Sequence, residues 1–325
     1  MKVLIIGAGV IGSVYGAELA AAGHHVAVLE HPGRKGQGEP AELITRNSVD
    51  GRTVREPVAL LAEDAMSLHD LILVTVRADQ LASVFPSLRR TGGHPTILFF
   101  GNNPGGRAAI PADLAGSVAI GFPGVGGFVR DGVVRYQRIP QQATTLQAGG
   151  GAAVDSFAQS LRERGFPVTR IADMDGWLAY HAVFVASVAA ALYRCGTSPT
   201  RLAGDRGTLR LMCRAIEEGF TELARRGVKG APANLRLLHR PMLRPVAVRY
   251  WSRTFRSPMG EAVFAAHARH AEGEMHCLMK SVATQAGIPG RAVGNLGRLL
   301  GSCLTDEWGE QAAQSIADSG RPRDR

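Results

Sequence analysis

The stretch KVLIIGAGVIGSVYGAELAAAGHHVAVLE, Lys2–Glu30, decides the fold. Its apolar run Val3–Ile6 gives way to a glycine cluster, a helix-compatible segment reaching Ala22, a stop at Gly23 and a second apolar run, Val26–Leu29. Strand, helix and strand within about 30 residues form a βαβ unit, whose parallel strands are buried on both faces and read as unbroken apolar runs. Gly7, Gly9 and Gly12 satisfy GxGxxG. In that pattern the first glycine permits a tight turn, the second admits a pyrophosphate to the backbone, and the third lets the helix pack closely on the strand. The helix start adds N–H groups and the positive end of its dipole. Gly7, Ala8, Gly9, Val10, Ile11 and Gly12 are therefore the expected dinucleotide contacts. The same glycines argue against a secretory leader, which Lys2 and the apolar run superficially resemble.

The choice of nicotinamide nucleotide turns on the end of the second strand. Glu30 stands where a carboxylate accepts from a ribose 2'-hydroxyl and favours NAD, while Arg34 and Lys35 follow in a loop that could meet a 2'-phosphate. The reading favours NADP and leaves NAD open. Two further apolar runs end in polar residues: Leu71–Val76 in Arg77, and Thr96–Phe100 in Asn102 and Asn103. Open α/β sheets bind ligands at such carboxyl ends. SVAIGFPGVGGFVRDGVVRY continues the sheet with a hairpin at RDG; a helix over 155–164 and the strand in GFPVTRI close the domain.

From Asp175 strand signals nearly vanish, and apolar-periodic segments separated by Gly and Pro take over. Helices are expected over 177–194, 208–226, 233–238, 260–287 with a break at its internal glycine, and 292–300. The apolar run 177–193 sits at the short limit for a membrane span and contains His181, so a packed helix is expected instead. The fold class is α/β: a Rossmann dinucleotide-binding domain over 1–172, an all-helical substrate and dimerisation domain over 173–318, and a flexible tail over 319–325.

The net charge of +9 comes from 37 basic residues, only four of them lysine, spread along the chain without interleaved aromatics. That distribution excludes a nucleic-acid footprint and leaves a small-molecule substrate. Cys195, Cys213, Cys277 and Cys303 make no ligand spacing, which fits a reduced, cytoplasmic protein.

The N-terminal GxGxxG, LVTVRADQL, FFGNNPGG, GVGGFVRDGVV and the helical second half together resemble the ketopantoate reductase family, NADP-dependent enzymes that reduce 2-dehydropantoate. The resemblance implies an oxidoreductase in which Arg77 contacts the cofactor and Asn102 touches both nicotinamide and substrate. The family's arginine after the second strand falls on His31, which moves that contact to Arg34. Trp177 matches the family tryptophan, but the general-acid lysine falls on Ala179 and two asparagines on Val183 and Ser187. Alanine donates no proton. The resemblance therefore implies reduction of a carbonyl or imine in a substrate other than ketopantoate, or a dinucleotide-binding protein without redox turnover, or a non-redox enzyme using the same cleft. Ser257 takes the approximate place of a substrate-binding serine. A family glutamate falls on Ala271, with Glu272 and Glu274 close by, and Glu274 is the favoured contributor.

His181 is the titratable group within the apolar helix whose ordinary pKa suits proton transfer at neutral pH, although it lies roughly 200° around the helix from position 179. His267, His270 and Glu274 share one helical face, without the compact pairing of a zinc site, so no metal is expected. Glu217 and Glu218 read as a solvated face with some pairing to nearby arginines. The expected catalytic set is Asn102, His181, Glu274 and Ser257, in a homodimer.

Overall fold

The computed structural model describes residues 1–29, 41–61, 66, 68–114, 116–238, 240–285 and 294–304. It divides into two compact units, Met1–Leu178 and Ala179–Arg325. In the first, β1 (Lys2–Ile6), α1 (Val10–Ala21) and β2 (His25–Leu29) form the βαβ unit that the opening stretch predicts. Then come β3 (Ala41–Asn47), β4 (Thr53–Leu61), β5 (Leu71–Val74), α2 (Leu81–Arg90), β6 (Thr96–Phe100) and β7 (Ser117–Phe122). The unit continues with β8 (Val125–Arg130), β9 (Val133–Arg138), β10 (Thr144–Gln147), α3 (Ala152–Glu163), β11 (Val168–Ile171) and the start of α4 (Met174–Arg194).

The described strands form one sheet in the order β11-β10-β7-β6-β5-β1-β2-β4-β3-β9-β8. From β7 to β4 every neighbour is parallel, and the ends of β1, β5 and β6 are level: Ile6 pairs Val74, and Val74 pairs Phe99. Because β2 and β5 flank β1 on opposite sides, the chain reverses its direction of travel across the sheet between β1 and β5. That switch point opens a crevice at the carboxyl ends of the strands. The RDG turn joins β8 to β9 as expected, but the hairpin lies at the far edge, with β9 beside β3.

β3, β4, β10, α2 and two helices of the second unit, Pro199–Gly204 and Arg244–Arg256, were not legible as elements. In β4 buried Val54 and Val58 alternate with Arg55 and Glu56, a weaker signal than the all-buried β5.

Aromatic packing fixes α1 on the sheet. Tyr15 meets Phe100 edge-on with ring centroids 4.8 Å apart and stacks near Phe157 at 6.0 Å. Its buried hydroxyl accepts from Gly124 N at 2.9 Å and shares a hydrogen bond with Thr144 Oγ1 at 2.7 Å. Burial raises the Tyr15 pKa. Tyr15→Phe removes the acceptor from a buried N–H, and urea unfolding should show a loss of about 1–3 kcal/mol. Three residues on, the buried Glu18 carboxylate holds Arg52 at 2.9 Å and Arg164 at 2.7 Å, tying α1 to the β3–β4 turn and to the end of α3.

The second unit contains the rest of α4, α5 (Pro199–Gly204), α6 (Arg206–Arg225), α7 (Ala233–Leu238), α8 (Arg244–Arg256), α9 (Ala266–His270), α10 (Glu272–Gln285) and α11 (Asn295–Gly301). The unit boundary falls inside α4 rather than at residue 172, and the expected tail 319–325 lies outside the described residues. α4 is the one helix among the described residues long and apolar enough to cross a membrane, and 83% of its apolar window is buried.

The expected break at Gly273 lies instead at Ala271, after a π-helical turn over Gly260–Ala265. There φ is −127° and ψ 38°, and the Tyr193 hydroxyl donates to the Ala268 carbonyl at 2.8 Å, a partner from outside the helix. Glu217 and Glu218 are not a solvated face. Glu217 is buried and grips Arg244 through contacts of 2.5–3.1 Å, while Glu218 accepts from Asn295 N at 2.6 Å and caps α11.

Candidate functional site

Three polar segments leave the level ends of adjacent strands: the glycine loop after β1, Thr75–Arg77 after β5, and Gly101–Gly106 after β6. Gly7 turns the chain with φ +101°, and a side chain there would meet Val76 N at 2.9 Å. Gly12 is pressed on the sheet: a Cβ would strike the Gly7 carbonyl and lie 2.7 Å from Thr75 Oγ1 and 3.0 Å from Ile5 Cγ2. Gly9 is different. Among the described residues, no atom beyond its chain neighbours lies within 4 Å of the place its Cβ would occupy. The space over the exposed Ala8–Gly9 tip is open where a phosphate would approach, and the first-turn N–H groups of α1 point towards such an anion.

Thr75 locks this loop to its neighbour strand. Its backbone N–H donates to the Ile6 carbonyl at 2.9 Å and its hydroxyl to the Gly7 carbonyl at 2.6 Å. The sequence reading passed over Thr75; its place immediately after a buried apolar strand was the available signal. Two residues on, Arg77 is half-exposed at the crevice, its Nε 3.2 Å from Asp79 Oδ1.

Asn102 follows β6 and is partly exposed, whereas Asn103 is buried and donates through Nδ2 to the Gly106 carbonyl at 2.8 Å. Glu30 and Arg34, the other expected cofactor contacts, lie outside the described residues, as does His31.

In the second unit, His181 is 4% exposed, with its ring 5.8 Å from that of Phe184. Burial first, and the neighbouring His267 second, push its pKa down to about 3. The expectation of a donor poised near neutrality is corrected by this burial: at neutral pH His181 is uncharged. Val183 and Ser187 are buried, and Val183 fills the space beside Gly219 of α6. Glu274 is buried in the first turn of α10, 3.5 Å from Nε2 of the more exposed His267. Ser257 ends α8 and donates to the Thr254 carbonyl at 2.6 Å, just before the π-helical turn, a feature frequent at functional sites. Among the described residues no group of three His, Cys, Asp or Glu is placed to hold a metal.

A parallel sheet with a glycine loop at its switch point, followed by a helical unit, defines a Rossmann-like fold with a helical C-terminal domain. Residues 3–151 match the model of the ketopantoate reductase PanE/ApbA family. No curated protein matches the chain by sequence. Among solved structures, a PanE/ApbA family ketopantoate reductase from Ralstonia eutropha JMP134 superposes with a TM-score of 0.69 at 21% identity, covering 96% of this chain and 99% of that one. D-mandelate dehydrogenase, solved with NADH and anilino(oxo)acetate, gives 0.67 at 14% identity over 97% of this chain and 99% of its own. A dimeric ketopantoate reductase from Staphylococcus aureus gives 0.65 at 12% identity over 97% and 99%. At these identities the likeness establishes the fold.

Proposed function

We propose that this protein is an NADP-dependent oxidoreductase that reduces a carbonyl or imine carbon of a small molecule other than ketopantoate. The observation that carries the reading is the open space above Gly9, set between the tightly packed Gly7 and Gly12 at the strand-order switch. This loop would cradle the pyrophosphate, and Arg77 would meet the cofactor beside it. When bound, the nicotinamide supplies the hydride. Asn102, at the next strand end, orients substrate and nicotinamide. Ser257 and Glu274 are assigned to substrate contact, and with His181 neutral and Ala179 aprotic the proton comes from water. The preference for NADP over NAD rests on the family's use of NADPH, although one structural neighbour carries NADH. A homodimer is supported by the dimeric Staphylococcus aureus structure, and the burial of α4 supports a cytoplasmic protein only in that α4 is packed in the chain rather than free to span a membrane.

The second reading, a dinucleotide-binding protein without turnover, is favoured by Ala179 and by the buried apolar Val183. The two are separated by titrating NADPH and NADH against cofactor fluorescence, then following NADPH oxidation across a panel of 2-oxo acids, ketones and imines. The oxidoreductase reading expects tighter NADPH binding and consumption equal to product formed. Tight binding with no consumption across the panel would overturn the oxidoreductase reading and leave the two readings without redox turnover.

A further inference from the structure

The geometry points to Asp175 as the positioning residue of the Asn102 loop, an inference that rests on the proposed role of Asn102. The loop is short and held from both ends. At its start, Gly101 N donates to the Gly121 carbonyl at 3.3 Å. At its end, Asn103 and Gly106 close a reciprocal ring: Gly106 N donates to the Asn103 carbonyl at 3.0 Å, and Asn103 Nδ2 returns to the Gly106 carbonyl at 2.8 Å. That ring requires Gly106 at φ +56°, in the left-handed region.

The space a Cβ would fill at Gly106 is taken by the Asp175 carboxylate, whose Cγ would lie 2.8 Å from it. The same carboxylate accepts from Arg107 N at 2.8 Å, capping the short 3-10 turn Gly106–Ala109 with a charge-assisted bond. Asp175 itself stands on a rigid base. It lies in the first turn of α4, where Asp173 Oδ1 accepts from Gly176 N at 2.8 Å and Trp177 packs on Phe122 with ring centroids 5.2 Å apart. Met174, Trp177 and Leu178 are buried against the β-sheet core that also holds Ile120 and Ile110. Asp175 thus transfers the fixed position of the α4 start to the loop that carries Asn102. Its role is to act through the loop, by the contacts to Gly106 and Arg107 N.

Displacing a reacting group's partner by about 1 Å costs about 100-fold in rate. Asp175→Ala should therefore lower kcat/KM about 10- to 100-fold, mostly in kcat, with the NADPH dissociation constant within about twofold of the parent. Asp175→Asn keeps an oxygen acceptor for Arg107 N and should recover most of the activity. Gly106→Ala forces a Cβ into the carboxylate and should reproduce the loss with Asp175 intact.

Hydrogen exchange supplies a readout independent of turnover: amides of Asn103, Gly105, Gly106 and Arg107 should exchange at least about tenfold faster in Asp175→Ala, while those of β1 and α1 stay as in the parent. Unchanged exchange in that loop overturns the proposal. So does wild-type kcat/KM in Asp175→Ala when Asn102→Ala is crippled, or a loss of NADPH affinity equal to the loss of turnover. If Asn102→Ala leaves turnover untouched while Asp175→Ala still speeds loop exchange, the role of Asn102 fails and the anchoring by Asp175 stands.

Discussion

Gly12→Ala is expected to lose dinucleotide binding and about 2 kcal/mol of stability, whereas Gly9→Ala is expected to fold as the parent does and lose binding alone. The same methyl group meets three environments in six residues. At Gly12 it strikes the Gly7 carbonyl and crowds Thr75 Oγ1 and Ile5 Cγ2, so α1 must move off the sheet. Backbone atoms and a buried strand cannot yield cheaply, which is why overpacking there costs free energy before any ligand is considered. At Gly7 the penalty is conformational as well as steric, since a φ of +101° is costly for any residue with a side chain. At Gly9 no described residue beyond its chain neighbours is touched. The methyl occupies only the approach assigned to the pyrophosphate, and NADPH affinity should fall at least about tenfold with the urea midpoint within about 0.5 kcal/mol of the parent. Equal NADPH affinity in Gly9→Ala and parent would remove the glycine loop from the binding site.

The second large effect is a loss of stability in acid. Burial holds the folded-state pKa of His181 at about 3, while in the unfolded chain a histidine titrates near its ordinary value of 6.5. Between those values the unfolded state binds the proton and the folded state does not, so stability rises with pH across this window. The contribution is complete above about pH 6.5 and falls by about 1.4 kcal/mol for each pH unit below it. At pH 5 His181 alone should cost the fold about 2 kcal/mol relative to pH 7. Other groups also titrate there, and the decisive quantity is the difference between parent and His181→Leu. The leucine variant lacks this slope, so the two stability curves should diverge below pH 6.5 and run parallel above it. Parallel curves from pH 7 to pH 4.5 would mean that His181 is solvated and charged in the folded protein, which would restore it as a candidate proton donor.

Much of the N-terminal unit was legible because its signals are local. An unbroken apolar run such as Val3–Ile6 can be buried on both faces only as a central strand, and the glycines after it sit at fixed offsets. Arg77 and Asn102 were legible as strand-end residues for the same reason. Thr75 and Asp175 were not. Their importance arises from partners far along the chain: Thr75 touches the Gly7 carbonyl, and Asp175 touches Gly106 and Arg107 N. His181 shows the same limit from the other side. Its residue type announces a proton carrier, but its pKa depends on how completely its neighbours exclude water.

The sequence by itself determined the βαβ opening, the glycine turn between β1 and α1, and the change from strands to helices near Asp175. These follow from short-range periodicity and from residue types whose backbone needs are fixed. Only the tertiary structure decided which strands stand side by side and that a loop glycine and a helix-start aspartate share one turn. It also decided that the histidine of α4 is neutral at physiological pH. Each of those is set by packing between segments distant in the chain, where distance and solvent exclusion rather than residue identity determine the energy.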